Sequence, residues 1–244
     1  MSATTAPDHA HAVRRRWAET GTAQLLATVD RLSDCELGEP TALPGWTRRH
    51  VVAHVAANAA ALRRLVRWAS TGERNPMYSS PQQRSDEIEA GSLLPAGALR
   101  QWLRSSAEQL ARDLDGLTDA QWDSPVVTAQ GRTVPARELP WLRSREVFVH
   151  AADLAAGTAF ADLPRDFLVA LVGDVVARRS ATGAGPSLRL RATDTGHTWS
   201  VAGVGDDVSV QAALSDLAAW LTGRPAGPLL TTDGSPVPAL PAWL

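Results

Sequence analysis

A carboxylate and an imidazole stand four residues apart in the segment 144–154. If this segment is helical, Glu146 and His150 lie one above the other on a single helix face. Side chains placed in this way can bind one metal ion together, provided that a third ligand comes from elsewhere. Such a pair is also common as a hydrogen bond on a helix surface. Here the apolar Val147 and Ala151 indicate that the pair lies near the inner face, where a buried carboxylate needs a partner.

A second predicted helix offers two histidines, His50 and His54, which also lie four residues apart. Thr47 precedes this helix and is a suitable N-cap residue. By spacing alone, either histidine could supply the third metal ligand. We prefer His54, which lies deeper in the helix beside its apolar stripe, and we expect His50 to be solvated in the first turn. Three protein ligands leave one open position, which is typical of a catalytic zinc site.

Three further residues have chemical roles that the sequence leaves open. Asp153 follows His150 by three residues and could accept the free ring N–H of a metal-bound histidine, or it could face solvent near the helix end. Arg224 follows a predicted helix, so it could complement the helix dipole or bind a carboxylate in a bidentate manner. Cys35 lies between two acidic residues that disfavour a thiolate, so we do not predict a catalytic cysteine.

The composition restricts the class of protein and its partners. The 244 residues are 44% hydrophobic and 20% charged, which is enough to form one large domain or two ordinary ones. A net charge of −2 without charged blocks predicts neither a nucleic-acid nor a membrane partner. No signal-peptide pattern opens the chain, and no apolar run reaches the ~18 residues that a membrane span needs. A single cysteine excludes an internal disulfide and favours the cytoplasm.

The first two thirds of the chain carry apolar residues at helical spacing. This pattern predicts helices over residues 12–34, 47–72, 95–117 and from 139 or 144 to 156. Residues 73–95 are rich in proline, serine and glycine and predict a long loop, while residues 125–136 predict a short hairpin. Four helices with long connections indicate a bundle, in which inward-facing side chains build metal sites.

The pattern changes near residue 164. From there we expect a helix, alternating strands and a final helix, at residues 164–180, 187–192, 198–202, about 208–210 and 213–222. The predicted fold class is therefore α+β: a four-helix bundle over residues 1–162, followed by a small α+β domain over residues 163–244. We expect the second domain to contribute to the active-site cleft.

Several stretches together resemble one known family over nearly the full length of the chain. They are Leu-Pro-Gly-Trp-Thr-Arg at 43–48, Pro-Met-Tyr at 76–78, Thr-Ala-Gln-Gly-Arg-Thr-Val-Pro-Ala at 128–136, Arg-Ser-Arg-Glu-Val at 143–147 and Trp-Leu at 243–244. With His54 and His150, these stretches resemble the mycothiol-dependent maleylpyruvate isomerases, which belong to the DinB-like superfamily of metal-binding four-helix bundles. The resemblance implies that His54, Glu146 and His150 bind zinc or another divalent metal, and that Arg224 is a functional arginine.

The resemblance also implies a reaction. The family converts maleylpyruvate into fumarylpyruvate in gentisate breakdown, and the thiol that adds transiently to the alkene is mycothiol. Arg224, Arg84 and Tyr78 are then candidates for binding the dicarboxylate substrate or the thiol, in a monomer or weak oligomer. Two alternatives remain: a mycothiol S-transferase that detoxifies other electrophiles, and a non-catalytic binding module that the metal only stabilises.

Overall fold

The computed structural model describes the backbone of residues 6–243 and the side chains of residues 10–243. The described residues form two compact units, which meet in the sequence between Thr158 and Ala159. The domain limits 1–162 and 163–244, and a contribution of the second domain to the active site, stay predictions. None of the helices in the described part of the chain is long and apolar enough to cross a membrane.

The first unit is a helix bundle. Its helices are α1 (Ala6–Arg31), α2 (Arg48–Thr71), α3 (Pro81–Ser92), α4 (Ala96–Asp115), α5 (Asp119–Trp122) and α6 (Leu139–Asp153). α1 packs on α6, α6 on α2, α2 on α4 and α4 on α1, which closes a four-helix ring. A short antiparallel hairpin of β1 (Pro125–Val127) and β2 (Thr133–Pro135) precedes α6. Both the bundle and the hairpin were predicted and are confirmed.

The prediction of a loop over residues 73–95 is wrong in part, because α3 occupies most of it. The Ser80 side chain accepts a hydrogen bond from the Gln83 backbone N–H at 3.1 Å, and Pro81 fits the first helical position. Ile88 is the large apolar residue of α3 that is buried. A helix with a single apolar anchor has no amphipathic period, which explains why hydrophobic spacing did not reveal it.

Gly21 allows α1 and α6 to pack closely. A Cβ atom at this position would lie 2.5 Å from Val147 Cγ2 and 3.2 Å from the Phe148 ring. The sequence showed Gly21 only as an interruption of a helical pattern, whereas α1 continues through it. Because Val147 follows Glu146 directly, this contact also fixes the rotation of the helix that carries two of the predicted metal ligands.

A buried polar layer divides the core of the bundle. Apolar residues form one cluster that includes Leu25, Val52 and Val147, and another that includes Leu62, Leu110 and Leu139. Between these clusters in the sequences of α2 and α6 lie Asn58 and Arg143, which are 5% and 2% exposed. Arg143 Nη1 donates to the Val55 carbonyl oxygen at 2.9 Å and to Asn58 Oδ1 at 3.1 Å. Arg143 thereby ties α6 to α2 in the middle of the bundle.

The second unit combines a small sheet with two helices. Its elements are α7 (Arg165–Thr182), β3 (Pro186–Ala192), β4 (Thr198–Val201), β5 (Val204–Ala212), α8 (Leu214–Leu221) and β6 (Leu230–Thr231). The strand order is β4-β3-β5-β6, with β3 antiparallel to β4 and parallel to β5. The predicted α+β fold is confirmed. β5 is longer than predicted, and β6 was not predicted because two residues carry no detectable alternation.

Candidate metal centre

The structure brings together the three residues that the sequence predicted as metal ligands. One ligand atom each from His54 on α2 and from Glu146 and His150 on α6 lies within 4.8 Å of the others. Glu146 Oε2 is 2.9 Å from His54 Nε2 and 3.4 Å from His150 Nε2. The two imidazole rings meet edge to face, with centroids 4.7 Å apart. Their role as ligands stays a prediction, and the geometry is compatible with it.

Arg48 fixes the position of α2 relative to the end of α6. Its Nε donates to the Leu154 carbonyl oxygen at 2.7 Å, and its Nη2 donates to the Ala155 carbonyl oxygen at 3.0 Å. Both carbonyl groups lie just past His150 at the end of α6, where the helix provides no hydrogen-bond partner for them. Nη1 donates to Glu39 Oε2 at 2.6 Å. Sequence spacing does not reveal this role of Arg48, because its partners at the end of α6 are backbone atoms about a hundred residues away.

Burial and hydrogen bonds act in opposite directions on the pKa values of the cluster residues. Burial alone would raise the pKa of Glu146, but hydrogen bonds with His150 and His54 outweigh burial and hold this pKa well below its usual value. Burial lowers the pKa of His54, and its hydrogen bond with Glu146 does not offset this effect. An anionic carboxylate and a neutral imidazole are the forms that bind a metal.

Asp153 lies behind His150, as the sequence suggested. Its Oδ2 is 2.8 Å from His150 Nδ1, and its side chain is only 1% exposed, so the alternative of a solvent-facing acid is wrong. Burial lowers the pKa of His150, but hydrogen bonds with Asp153 and Glu146 outweigh burial and raise it. A carboxylate at Nδ1 favours a proton on that nitrogen, so Nε2, which faces Glu146, is the nitrogen that would lose its proton to bind a metal.

The donor set fits a divalent metal. Two imidazole nitrogens and one carboxylate oxygen from facing helices are ligands that zinc and several other divalent ions accept. The carboxylate behind His150 supplies the outer hydrogen bond that metal-binding histidines usually make. His54, Glu146 and His150 would hold the ion.

His50, the alternative third ligand, is not part of this cluster. Its Nδ1 lies 3.2 Å from the Thr47 backbone nitrogen and 2.8 Å from Thr47 Oγ1. Thr47 is the N-cap residue of α2, as predicted, and His50 closes the first helical turn against it. The His50 side chain is 18% exposed, so it is partly solvated.

Two other side chains lie beside His54, and the charges of the site act on a third, Tyr78. Arg84 on α3 places Nη2 at 3.4 Å from His54 Nδ1, and the Trp46 ring centroid is 5.5 Å from that of His54. Burial raises the pKa of Tyr78 to about 12, and the charges of Arg84 and Glu146 act on the same hydroxyl. Trp46 was quoted in the sequence resemblance but not predicted as a site residue. Substrate or thiol binding by Arg84 and Tyr78 stays a prediction.

Arg224 lies in the second unit, just past α8. Its Nη1 donates to the Thr222 carbonyl oxygen at 2.6 Å, in agreement with a role at the end of this helix. The guanidinium lies over the Trp243 ring, 5.8 Å from its centroid. A substrate-binding role of Arg224 stays a prediction.

Comparison with known proteins identifies the family. The family model described as the mycothiol maleylpyruvate isomerase N-terminal domain matches residues 18–155, more than half of the chain. The chain belongs to this family. The crystal structure of a mycothiol-dependent maleylpyruvate isomerase is 38% identical, with a TM-score of 0.91, and the match covers 96% of this chain and 97% of that chain. A histidine-to-alanine mutant of such an isomerase matches at 37% identity and a TM-score of 0.90 over the same shares.

A more distant likeness concerns the fold alone. YfiT from Bacillus subtilis, described as a probable metal-dependent hydrolase with an unusual four-helix bundle topology, is 18% identical with a TM-score of 0.51. The match covers 64% of this chain and 88% of that chain. No curated protein sequence matches significantly. The resemblance to the mycothiol-dependent maleylpyruvate isomerase family that the sequence indicated is therefore confirmed, as is the assignment to a family of enzymes.

Proposed function

We propose that this protein is a mycothiol-dependent isomerase that converts maleylpyruvate into fumarylpyruvate in gentisate breakdown, with zinc or another divalent metal at its active site. One observation carries the proposal: the predicted ligand atoms of His54, Glu146 and His150 lie within 4.8 Å of one another. The chain that holds them is 38% identical to a mycothiol-dependent maleylpyruvate isomerase. The mixed nitrogen and oxygen donor set is one that catalytic zinc sites use, and the reaction needs no redox chemistry from the metal.

The reaction needs a carbon–carbon double bond to become single for a moment. A thiolate adds to one alkene carbon, a carbon–sulfur bond forms, and the alkene electron pair moves onto the conjugated carbonyl group. Rotation about the former double bond follows. The electron pair then returns, the carbon–sulfur bond breaks, and the thiolate leaves the trans product. Nothing is oxidised or reduced, so the thiol acts as a catalyst and is recovered unchanged.

The thiol in this proposal comes from mycothiol. Cys35, the chain's single cysteine, is exposed and free and is not one of the cluster residues. It fits an expected location in the reducing cytoplasm. A divalent metal at the cluster supplies positive charge, which favours the thiolate form of a thiol. Asp153 keeps His150 Nε2 directed at the cluster, and the Trp46 ring lies beside the buried His54.

Two cationic side chains are proposed to bind the carboxylates of the substrate. Arg84 is half-buried beside His54 and can donate to a carboxylate near the cluster. Arg224, held by the Thr222 carbonyl and the Trp243 ring, is proposed to bind a second carboxylate. Tyr78, whose pKa is raised to about 12, keeps its proton at neutral pH and can donate from its hydroxyl. Carboxylates held in this way would orient the alkene towards the attacking sulfur.

The decisive experiment is an assay of purified protein on maleylpyruvate with and without mycothiol, before and after metal removal by a chelator. We expect fumarylpyruvate only when both metal and mycothiol are present. His50→Ala is the matched control, because His50 lies on the same helix outside the cluster, and it should retain turnover. Full turnover without mycothiol or without metal would refute the proposal. Stable thioethers formed with other electrophiles, and no isomerisation, would favour an S-transferase instead.

A further inference from the structure

The helix α3 carries Arg84 to the metal cluster, where Arg84 Nη2 lies 3.4 Å from His54 Nδ1. The C-terminal end of α3 packs closely on α2, since a Cβ atom at Gly91 would lie 2.9 Å from the Ala53 Cβ. The N-terminal half, which includes Arg84, has no such anchor, because Ile88 is the large apolar residue of α3 that is buried. The position of this half therefore depends on polar contacts.

An arginine of α2 makes these polar contacts. Arg64 Nη2 donates to Glu87 Oε1 at 3.0 Å, and Arg64 Nη1 donates to the Met77 carbonyl oxygen just before α3. Gln83 Nε2 donates to the same Glu87 oxygen at 2.9 Å, and the Arg64 and Glu87 side chains are both partly buried. Glu87 lies about one helical turn after Arg84, so a residue of the neighbouring helix holds and neutralises the acid beside this arginine.

Glu87 is also placed to pair with Arg84. Residues three apart on a helix are neighbours, and side chains of opposite charge at this spacing attract one another. Within the part of the chain that the structure describes, Glu87 pairs with Arg64, whereas Arg84 forms no ion pair. A guanidinium has several N–H donors, so Arg84 keeps donors for a carboxylate besides its contact with His54. Arg64 thus competes with Arg84 for Glu87.

The charges of Arg64 and Glu87 reach the proposed active site. Burial raises the pKa of Tyr78 to about 12, and the charges of Arg84, Glu146, Glu87 and Arg64 act on the same hydroxyl as smaller effects. While Arg64 and Glu87 are paired, their opposite charges largely cancel for a group at a distance. Without the charge of Arg64, Glu87 would attract Arg84 and repel an anionic substrate.

We propose that Arg64 is a positioning residue of the isomerase: it binds Glu87 and so leaves Arg84 free to bind a carboxylate of the substrate beside the metal cluster. This inference rests on the proposed function and extends it to an ion pair that contains none of the predicted metal ligands or substrate-binding residues. Loss of the positive charge at residue 64 lets Glu87 pair with Arg84 and draw it away from His54.

The test measures kcat/KM for maleylpyruvate in the presence of mycothiol, on the metal-loaded full chain. Arg64→Gln keeps an N–H donor but removes the charge, and it should lower kcat/KM about tenfold or more, as expected when a hydrogen bond to a charged group is lost. Arg64→Lys keeps the charge and should stay within about threefold of the wild-type protein. Arg63→Gln is the matched control: Arg63 Nε pairs with Asp113 Oδ2 of α4 at 2.6 Å, and its loss should leave kcat/KM unchanged.

Two double variants separate positioning from a purely structural role. Glu87→Gln removes the competing carboxylate, so adding it to Arg64→Gln should restore kcat/KM to within about threefold of the wild-type value. Arg84→Met removes the residue through which Arg64 acts, so adding Arg64→Gln to it should cost nothing further. A structural role would give the same loss in every background and no restoration.

Circular dichroism and metal content check that each variant keeps the fold and the cluster. Three results would overturn the inference while turnover by the wild-type protein still supports the proposed function. They are an Arg64→Gln variant as active as wild type, a loss that Glu87→Gln does not reverse, and a tenfold loss in Arg64→Lys, which keeps the test decisive if Arg64→Gln does not fold. Absence of isomerisation by the wild-type protein would overturn both proposals.

Discussion

At the scale of single residues, the side chains of the site stabilise in one another the protonation states and orientations that bind a metal. Burial raises the pKa of Glu146, yet hydrogen bonds with two histidines keep this pKa well below its usual value. Burial lowers the pKa of His54, which favours the neutral imidazole. Asp153 orients His150 through Nδ1. The ligand atoms are therefore oriented towards one point in a mostly buried site, and Glu146 carries a negative charge. A cation bound there would be the largest local charge.

Replacing Asp153 by asparagine tests the outer hydrogen bond. An asparagine carbonyl can still accept from His150 Nδ1 but lacks the negative charge that makes the imidazole a stronger ligand. We therefore expect Asp153→Asn to weaken metal affinity about 10- to 100-fold without unfolding the protein. A competition titration with a metal-binding dye measures this change. Asp30→Asn is the control, because Asp30 is a partly exposed acid that pairs with Arg104 on the bundle surface; equal losses in both variants would refute the role of Asp153.

The three predicted ligands could be found from the sequence because two of them lie four residues apart on one helix. Residues that act through long-range contacts could not be found in this way. No spacing connects Arg48 or Asn58 to α6, although Arg48 stood within a quoted motif. Arg48 donates to the Leu154 carbonyl oxygen just past α6, and Asn58 accepts from Arg143 of this helix. Trp46 stood within a quoted motif, but only the fold shows that its ring lies beside His54.

At the scale of elements, the close packing of α1 on α6 determines where Glu146 and His150 point. Apolar spacing predicted α1, α2, α4 and α6, because each has a long inner face. It did not predict α3, whose start was visible only as Ser80 followed by Pro81. The close approach at Gly21 was also hidden, since a glycine in a helix looks like a weak point until its neighbour is known.

Gly21→Ala should destabilise the protein in spite of the higher helix propensity of alanine. A Cβ would lie 2.5 Å from Val147 Cγ2, so α1 and α6 must move apart. We expect a loss of about 1–3 kcal/mol in the free energy of unfolding, measured by urea denaturation. Gly97→Ala on α4 is the control: nothing lies within 4 Å of the added atom, and helix propensity should make it neutral or slightly stabilising. A stabilised Gly21→Ala variant would contradict the packing argument.

At the scale of the whole molecule, the bundle supplies the proposed metal ligands and the second unit supplies Arg224. The change of pattern near residue 164 predicted two parts, and the described residues do form two compact units. The sequence could not show how Arg224 is held, because Thr222 and Trp243 contact it through the fold of the second unit. Under the proposed function, the first unit binds the metal and Arg224 of the second unit binds a substrate carboxylate.

Arg224→Ala should separate catalysis from metal binding. If Arg224 binds a substrate carboxylate, its removal leaves the metal content unchanged and lowers turnover of maleylpyruvate by about 100-fold or more, because the alkene is no longer well oriented. Steady-state kinetics with parallel metal analysis measures both quantities. Arg191→Ala, at an exposed arginine of the same unit, should change neither. Loss of metal in the Arg224 variant would show that the arginine has a structural role instead.

The most direct test of the account is the metal content of purified ligand variants, measured by mass spectrometry after dialysis against metal-free buffer. The wild-type protein and His50→Ala should retain about one divalent ion per chain, while His54→Ala, Glu146→Ala and His150→Ala should each retain almost none. Folding of every variant is checked by circular dichroism. A wild-type protein without metal, or a folded ligand variant that keeps a full equivalent, would contradict the proposed metal centre.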